Sequence, residues 1–152
     1  MSKQNRREFI KKSTAATLGL SALGAVGFSA NLLYLCDVMQ SQMTKAAGNF
    51  SKHISYQPKL EGNIMKVLED KDLDVLINAT PDHWHAPGTW LAMERGKHVY
   101  VEKPCSHNPK EGELLIALQK KYNKVVQMGN QQRSAPESRE IIAAIHNGAI
   151  GK

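Results

Sequence analysis

The chain has 152 residues, enough for one domain with a hydrophobic core of its own. Its 41% hydrophobic and 22% charged residues are typical of an ordinary globular protein. The net charge is +6, but most of it lies in residues 1–12, which contain five basic residues and one acidic residue. A nucleic-acid-binding protein carries its positive charge on the folded body, so this distribution excludes nucleic acid as a partner.

The chain has two cysteines, Cys36 and Cys105. Two are too few for a disulfide scaffold, and the sequence has no Cys-x-x-Cys pair. Cys36 stands in an apolar run, where a thiol packs as a small hydrophobic group. In an oxidising compartment the redox state of both thiols stays open.

Residues 1–30 have the pattern of an export signal. A charged start that contains Arg6-Arg7 leads into Phe9-Ile10-Lys11, and a stretch rich in Ala, Gly, Ser and Leu follows at 13–30. Adjacent arginines before a large apolar pair and a lysine resemble the twin-arginine signal. The resemblance implies the twin-arginine translocase as a partner and a periplasmic or exported protein. The alternative is the start of an ordinary basic amphipathic helix.

The apolar character of this segment continues from Leu18 to Leu35, which is long enough for a membrane span. Ser21, Ser29 and Asn31 dilute it, as do several Gly and Ala residues. No clean Ala-x-Ala cleavage pattern is present. We therefore expect contact with a membrane only through the signal, which anchors the protein if it stays uncleaved.

Beyond residue 30, apolar runs of strand length alternate with stretches of helical period. The predicted strands are Leu32–Cys36, Val75–Ala79, His98–Val101 and Val125–Met128. The predicted helices are Val38–Ala47, Glu61–Asp70, Ala86–Arg95, one that begins at Pro109, and Pro136–Asn147, with a loop at 49–60. Strands that alternate with helices predict an α/β fold with a doubly wound parallel sheet.

Certain residues mark the predicted helix ends. Gly48 should follow the first helix and Gly148 the last, because glycine suits the left-handed position after a helix. Asn108 should cap the helix that begins at Pro109. The side chains expected to face the core from the last helix are Ile141, Ile142 and Ile145.

Polar or small residues follow every predicted strand. Ligands bind at the carboxyl ends of the strands in an open parallel sheet, so these positions predict a binding site along one edge. They are Asp37, Thr80 to His85, Glu102 to Pro104, and Gly129 to Arg133.

Three stretches carry a resemblance to a known family. They are Ala79-Thr80-Pro81-Asp82-His83-Trp84-His85, Gly96-Lys97-His98-Val99-Tyr100-Val101-Glu102-Lys103-Pro104 and Gln127-Met128-Gly129-Asn130-Gln131. Together they resemble the nucleotide-binding half of the Gfo/Idh/MocA oxidoreductases. Glu-Lys-Pro alone is a weak match, but with the Thr-Pro-x-x-x-His element at this spacing it is a strong one. The resemblance covers about residues 32–152, and it implies a signal segment at 1–30 followed by a partial, Rossmann-like NAD(P)-binding domain at 31–152.

The resemblance implies a role for each matching residue. Asp37 would accept hydrogen bonds from the adenosine ribose hydroxyls, and its carboxylate would favour NAD over NADP by repelling a 2′-phosphate. Its alternative role is a helix N-cap for Val38 onward. Lys103 would approach nicotinamide and substrate as the catalytic group, and in some family members a cis bond precedes the proline at position 104. The other implied cofactor-binding residues are Thr80, Pro81 and His85 along the nicotinamide side, Glu102 in the Glu-Lys-Pro signature, and Gln131 facing the pocket.

Three histidines and a cysteine near this edge have the side chains of a metal site. His83 and His85 would diverge on an extended segment, and no spacing here matches a known metal motif. The sequence therefore predicts no metal ion. The other two members of the group are Cys105 and His107.

The resemblance also implies parts that this sequence does not supply. The family's G-x-G-x-x-G loop should lie about 20 residues before Asp37, inside the predicted signal, where Gly19, Gly24 and Gly27 do not give the spacing. The family's α+β domain would begin where the sequence stops. We therefore expect an incomplete fold that lacks the first strand with its glycine loop and the C-terminal domain, and an inactive chain as given.

The function implied by the resemblance is NAD(P)-dependent hydride transfer on a CH–OH group of a sugar, cyclitol or derivative, in a family that is usually homo-oligomeric. Two alternatives come from other classes of protein. One is a non-catalytic remnant or interaction protein, and the other is an NAD-dependent glycosidase. The substrate stays open, as does the choice among a gene fragment, a wrongly delimited reading frame and a decayed gene.

Overall fold

The computed structural model describes residues 31–130, 133 and 135–151, so the predicted signal at 1–30 and Gln131 lie outside the described residues. Within this part of the chain, no helix has the length and apolar character needed to cross a membrane. Strands and helices alternate in the order β1 (Tyr34–Cys36), α1 (Gln40–Phe50), β2 (Lys59–Glu61), α2 (Ile64–Glu69), β3 (Val75–Asn78), α3 (Asp82–Glu94), β4 (His98–Val101), α4 (Pro109–Tyr122), β5 (Val126–Met128) and α5 (Pro136–His146).

All the strand pairs formed by these elements are parallel, and they fall into two sheets. One sheet pairs β1 with β2, and the other has the order β3-β4-β5. Val99 of β4 lies opposite Leu76 on one side and Val126 on the other. The predicted α/β class with a parallel sheet is confirmed, and β4 is the central strand of the larger sheet.

The hydrophobic core surrounds β4. Val99 and Val101 are fully buried, and Ala92 and Met93 of α3 are equally inaccessible. A strand covered on both faces consists of consecutive apolar residues, which explains the run from Val99 to Val101. The other buried members of the core are Leu68, Ala86, Leu115 and Leu118.

Asp70, which ends α2, links the two sheets. Its carboxylate accepts a hydrogen bond from the Tyr34 hydroxyl of β1 at 2.7 Å. Its carbonyl oxygen accepts one from Lys97 Nζ, just before β4, at 2.5 Å. The hydrogen bond from Tyr34 lowers the pKa of the Asp70 carboxyl, and that from the Asp72 backbone adds to the effect.

The start of α4 follows the predicted cap. Asn108 Oδ1 accepts from Glu111 N at 3.0 Å, while the Glu111 carboxylate accepts from His107 N at 2.7 Å. Pro109 is the first helical residue, where its missing N–H removes no helical hydrogen bond. Gly148 follows α5 with a φ of 88°, as predicted for a residue beyond a helix.

The structure corrects three predicted boundaries. Helix α1 continues through Gly48 to Phe50, so Gly48 is an interior residue with no left-handed φ. The loop predicted at 49–60 contains the start of β2, whose single apolar residue, Leu60, gave no strand signal. Helix α3 begins at Asp82 instead of Ala86, because Pro81 has a φ of −58° and provides a helix start.

The prediction that the isoleucines of α5 face the core is wrong for the described residues. Ile141, Ile142 and Ile145 are 59%, 51% and 40% exposed, and no residue of α5 is buried. The apolar stripe exists at helical spacing, but no other described element covers it. Amphipathic periodicity therefore predicted the helix and misplaced its apolar face.

Candidate active site

The loops that follow β3 and β4 leave the sheet side by side. Asn78, the last residue of β3, lies opposite Val101, the last residue of β4. The bond from Glu102 N to Asn78 O, at 3.0 Å, extends this pairing by one residue. The structure thus brings together the predicted site residues on these loops and in the first turn of α3, namely Thr80, Pro81, His85, Glu102 and Lys103.

Asn78 organises the first of these loops. Its side chain is buried, with Nδ2 donating to His85 O at 3.1 Å and Oδ1 accepting from the Thr80 hydroxyl at 2.7 Å. The side chain thereby ties the end of β3 to the first turn of α3. Sequence reasoning missed Asn78, although an asparagine that ends an apolar strand was an available signal.

His85 contacts both loops from inside the protein. Its side chain is 1% exposed. Nδ1 lies 2.5 Å from the carbonyl oxygen of Pro104, and Nε2 lies 2.7 Å from that of Thr80. Both polar atoms of the ring therefore face backbone carbonyls, and the predicted contact of His85 with nicotinamide stays a prediction.

Lys103 stands on the second loop with its side chain exposed. Glu102 before it is half-buried, and the Lys103–Pro104 peptide bond is cis, as the resemblance implied for some family members. An exposed ammonium at the carboxyl edge of a parallel sheet is placed to meet a bound ligand. The catalytic role of Lys103 stays a prediction.

Gly129 holds the end of β5 close to β4. Its N–H donates to Val101 O at 2.7 Å. A Cβ atom at this position would lie 2.9 Å from Cζ of Tyr100 and 3.1 Å from Oε1 of Glu102. A side chain here would force the Tyr100 ring and the Glu102 carboxylate to shift, so glycine suits the position. The Glu102 carboxylate lies beside Gly129, directly after β5.

Asp37 lies at the carboxyl end of β1, in the smaller sheet, and is exposed. Its Oδ1 accepts from Met39 N at 2.8 Å. The helix begins only at Gln40, and its N-cap is Met39, which makes no side-chain capping bond. The alternative of an N-cap for Val38 onward is therefore wrong, since the Asp37 carboxylate closes a turn ahead of the helix.

The end of the smaller sheet is acidic. The expectation that Cys36 packs as a small hydrophobic group is wrong, because the residue is exposed. Cys36 lies opposite Glu61 in the strand register and next to Asp37 in the chain. Partial desolvation, followed by the charges of Glu61 and Asp37, raises the pKa of the Cys36 thiol. A thiol with a raised pKa is a weak nucleophile at neutral pH. Asp37 is therefore the candidate ligand-binding residue at this end of the smaller sheet.

The histidines near the larger sheet do not converge. His83 and His107 are exposed, whereas His85 is buried against the two carbonyls. Within residues 31–130, 133 and 135–151, no three His, Cys, Asp or Glu side chains are arranged to hold a metal ion. Among the described residues, the groups that can contact a ligand at the carboxyl ends of the strands are therefore main-chain groups, a lysine and carboxylates.

The family model described as oxidoreductase family, NAD-binding Rossmann fold, matches residues 13–130. The chain belongs to the Gfo/Idh/MocA family. The match begins inside the segment at 1–30 that the sequence predicts to be an export signal. The carboxyl edge with Thr80 and Lys103 thus lies in an NAD-binding Rossmann domain.

Two relatives and one solved structure illustrate the similarity. Inositol 2-dehydrogenase 4 of Saccharopolyspora erythraea is 33% identical over 95 residues, which are 62% of this chain and 28% of that protein. An alpha-N-acetylgalactosaminidase of Shewanella oneidensis is 26% identical over 155 residues, covering 93% of this chain and 34% of that protein. Myo-inositol 2-dehydrogenase from Lactobacillus plantarum superimposes with a TM-score of 0.68 at 19% identity, covering 97% of this chain and 40% of that one. At this identity the structural likeness shows the fold alone.

This Gfo/Idh/MocA chain spans about a third of the length of the curated relatives that it matches. The activities in the names of those relatives belong to the whole proteins. For this chain, the family membership establishes an NAD-binding domain of the oxidoreductase class.

Proposed function

We propose that this domain holds the nicotinamide end of NAD for hydride transfer from a CH–OH carbon of a sugar or cyclitol. The observation that carries the proposal is the register of Asn78 with Val101, which sets the loops bearing Thr80 and Lys103 next to each other. This edge is where ligands bind in doubly wound sheets. The inositol 2-dehydrogenase relative supports a polyhydroxylated substrate.

The donor set of the edge fits a nicotinamide dinucleotide. Thr80 and Pro81 would line the nicotinamide side, with the buried His85 behind them, Glu102 beside them and Gln131 facing the pocket. Asp37, which is exposed and uses Oδ1 for the Met39 amide, would bind the adenosine ribose. The cofactor, when bound, supplies the hydride acceptor.

Lys103 would perform the proton chemistry of the reaction. An ammonium beside the reacting hydroxyl stabilises the negative charge that develops on the oxygen and can relay its proton. The exposed position of Lys103 on its loop supports this role, since its flexible side chain can reach a bound substrate. Glu102, half-buried beside the end of β5, would help to orient the loop.

Asp37 would select NAD over NADP. A carboxylate bonded to the ribose hydroxyls repels the 2′-phosphate of NADP, and Glu61 adds a second negative charge at the same end of the sheet. Replacing Asp37 by Asn should reduce this discrimination. Equal binding of adenosine 2′,5′-bisphosphate and AMP by the unmodified chain would contradict the assignment.

A second candidate is an NAD-dependent glycosidase. The alpha-N-acetylgalactosaminidase relative aligns over 93% of the chain, against 62% for the inositol dehydrogenase, although its identity is lower. The same edge would serve both reactions, with transient oxidation in the glycosidase. Product analysis of the full-length protein on glycosides and on free sugars separates them, because only a glycosidase releases the aglycone.

A third candidate is a chain that does not catalyse by itself. None of its eleven glycines gives the G-x-G-x-x-G spacing, and that loop is the usual source of backbone N–H groups for the pyrophosphate. We therefore expect the 152-residue polypeptide to bind NAD more weakly than micromolar and to turn over no substrate. Calorimetric titration with NAD and an assay on inositol and hexoses check this, and micromolar binding or turnover would contradict it.

Nicotinamide mononucleotide and AMP provide the direct test of the proposed site, because each is one half of NAD. In the isotope-labelled chain, nicotinamide mononucleotide should shift the amide NMR signals of Thr80, Glu102 and Lys103. AMP should shift that of Met39, beside Asp37. Shifts by nicotinamide mononucleotide confined to residues away from these loops would reject the proposed function.

A further inference from the structure

The imidazole of His85 occupies an unusual place between the two loops of the proposed site. It stands in the first turn of α3, and its side chain is 1% exposed. A buried histidine usually has one nitrogen that donates and one that accepts. Here both nitrogens face acceptors, namely Pro104 O at 2.5 Å from Nδ1 and Thr80 O at 2.7 Å from Nε2.

The two carbonyls belong to the two segments that carry the proposed chemistry. Thr80 lies two residues beyond the end of β3, and Pro104 directly follows Lys103 after β4. The sheet joins these segments as far as the bond from Glu102 N to Asn78 O. Beyond that bond, the two loops are connected by the His85 ring, which contacts a carbonyl oxygen of each.

We propose that His85 is a positioning residue whose ring bridges Thr80 O and Pro104 O and thereby fixes the backbone that directly follows Lys103. The inference rests on the proposed function only for the role of Lys103, because the bridge itself exists in the protein without ligand. Both ring nitrogens are within hydrogen-bond distance of a carbonyl oxygen. A ring nitrogen that carries a proton donates to the carbonyl oxygen that it faces.

The neighbours of His85 fix its ring in this place. The backbone carbonyl of His85 accepts from Asn78 Nδ2 at 3.1 Å, and Asn78 also receives the Thr80 hydroxyl. Gly88, one turn further along α3, leaves room for the Asn78 amide. The bridge is thus part of one connected network of polar groups, in which each member restrains the next.

The first measurement uses the unmodified, isotope-labelled chain and needs no variant. Through-hydrogen-bond NMR couplings should connect the His85 ring nitrogens with the carbonyl carbons of both Thr80 and Pro104. Coupling to fewer than two of these carbons overturns the bridge. This result does not depend on any ligand, so it stands even if nicotinamide mononucleotide fails to bind and the proposed function falls.

The second measurement distinguishes positioning from packing. His85→Leu should shift the amide signals of Glu102 and Lys103, and His85→Gln, whose side-chain amide has two N–H donors, should restore them in part. His83→Leu, an exposed position on the same helical turn, is the matched control and should leave them unchanged. A purely packing role would lower the melting temperature of both His85 variants and leave the Lys103 amide in place, which would overturn the proposal.

Ligand binding gives the last readout. If the bridge positions the second loop, His85→Leu should weaken nicotinamide mononucleotide binding by about tenfold, equivalent to about 1.4 kcal/mol, with AMP binding unchanged. A parallel loss of AMP binding would show general unfolding, and the couplings in the unmodified chain would then decide the proposal.

Discussion

Gly88 of α3 lies directly against the side-chain amide of Asn78, where a Cβ atom would stand 2.8 Å from Asn78 Nδ2. The nitrogen is buried and donates to His85 O, so it has little freedom to move. The hydrogen bonds of the buried Asn78 side chain therefore depend on glycine at position 88.

Gly88→Ala should destabilise the fold by about 1–3 kcal/mol, because the added methyl group forces the Asn78 amide out of its hydrogen bonds. Urea denaturation measures the change in the free energy of unfolding. Gly48→Ala is the matched control, since Gly48 also lies inside a helix and a Cβ there meets nothing within 4 Å. It should be neutral or stabilising by about 0.5–1 kcal/mol, and equal effects of the two variants would contradict the packing argument.

The pH dependence of stability should contain a contribution from His98. Burial, followed by the charge of Lys124, lowers the pKa of this histidine below 6.5, and its Nδ1 accepts a hydrogen bond from Val125 N at 3.0 Å. The unfolded chain takes up the proton first, so this contribution is fully present above pH 6.5 and declines as the pH falls through the lowered pKa.

Thermal melting between pH 7.5 and 5, a window above the ordinary pKa values of carboxylates, measures the contribution of the histidines. His98→Asn keeps an acceptor near Val125 N but does not titrate, so its stability should change less with pH. His53→Asn, at an exposed position, serves as the control and should retain the original profile. A profile unaltered by His98→Asn would exclude His98 as the source.

Lys103→Ala in the full-length protein should reduce turnover by about a hundredfold or more while the fold stays intact. The expectation follows from the loss of the ammonium that would stabilise charge on the reacting oxygen. Steady-state kinetics and circular dichroism check both parts. Lys120→Ala, an exposed lysine in the last turn of α4, should keep normal turnover, and near-normal turnover of Lys103→Ala would remove Lys103 from the mechanism.

Residues 1–30 should direct export by the twin-arginine route, which carries proteins that have already folded. In a reporter fusion, replacing Arg6 and Arg7 by Lys should abolish the periplasmic signal. Replacing Lys11 and Lys12 by Arg keeps the positive charge and the arginine pair, so this control should still be exported. Export that survives the first pair of substitutions would show that the arginines are not the recognised feature.

The sequence predicted best where local chemistry decides the structure. Strand β4 was predicted with its observed bounds, because an apolar run with valines stands between Gly96 and Glu102. The start of α4 was predicted because Asn108 and Pro109 combine a cap with a fixed φ. Strand β2 was missed, since its residues carry little strand preference.

At the candidate site, the sequence predicted the loops and not the contacts between them. The polar residues after β3 and β4 were expected at one edge, and the register of Asn78 with Val101 places the two loops together there. The bridging position of His85 and the supporting amide of Asn78 depend on how individual side chains pack between β3, α3 and the segment after β4. No periodicity or spacing reports such packing.

The division of the strands into two sheets has a consequence for how the protein opens. Strand β4 is hydrogen-bonded on both sides and buried, whereas β1 and β2 are three residues each and pair only with one another among the described strands. Amide hydrogens of β4 should therefore exchange with solvent only on global unfolding, and those of β1 and β2 through a local opening of lower free energy. The loops around Thr80 and Lys103 follow strands of the larger sheet, whereas Asp37 follows β1 of the smaller sheet. We therefore expect the part of the proposed cofactor site that binds adenosine to open before the part that binds nicotinamide.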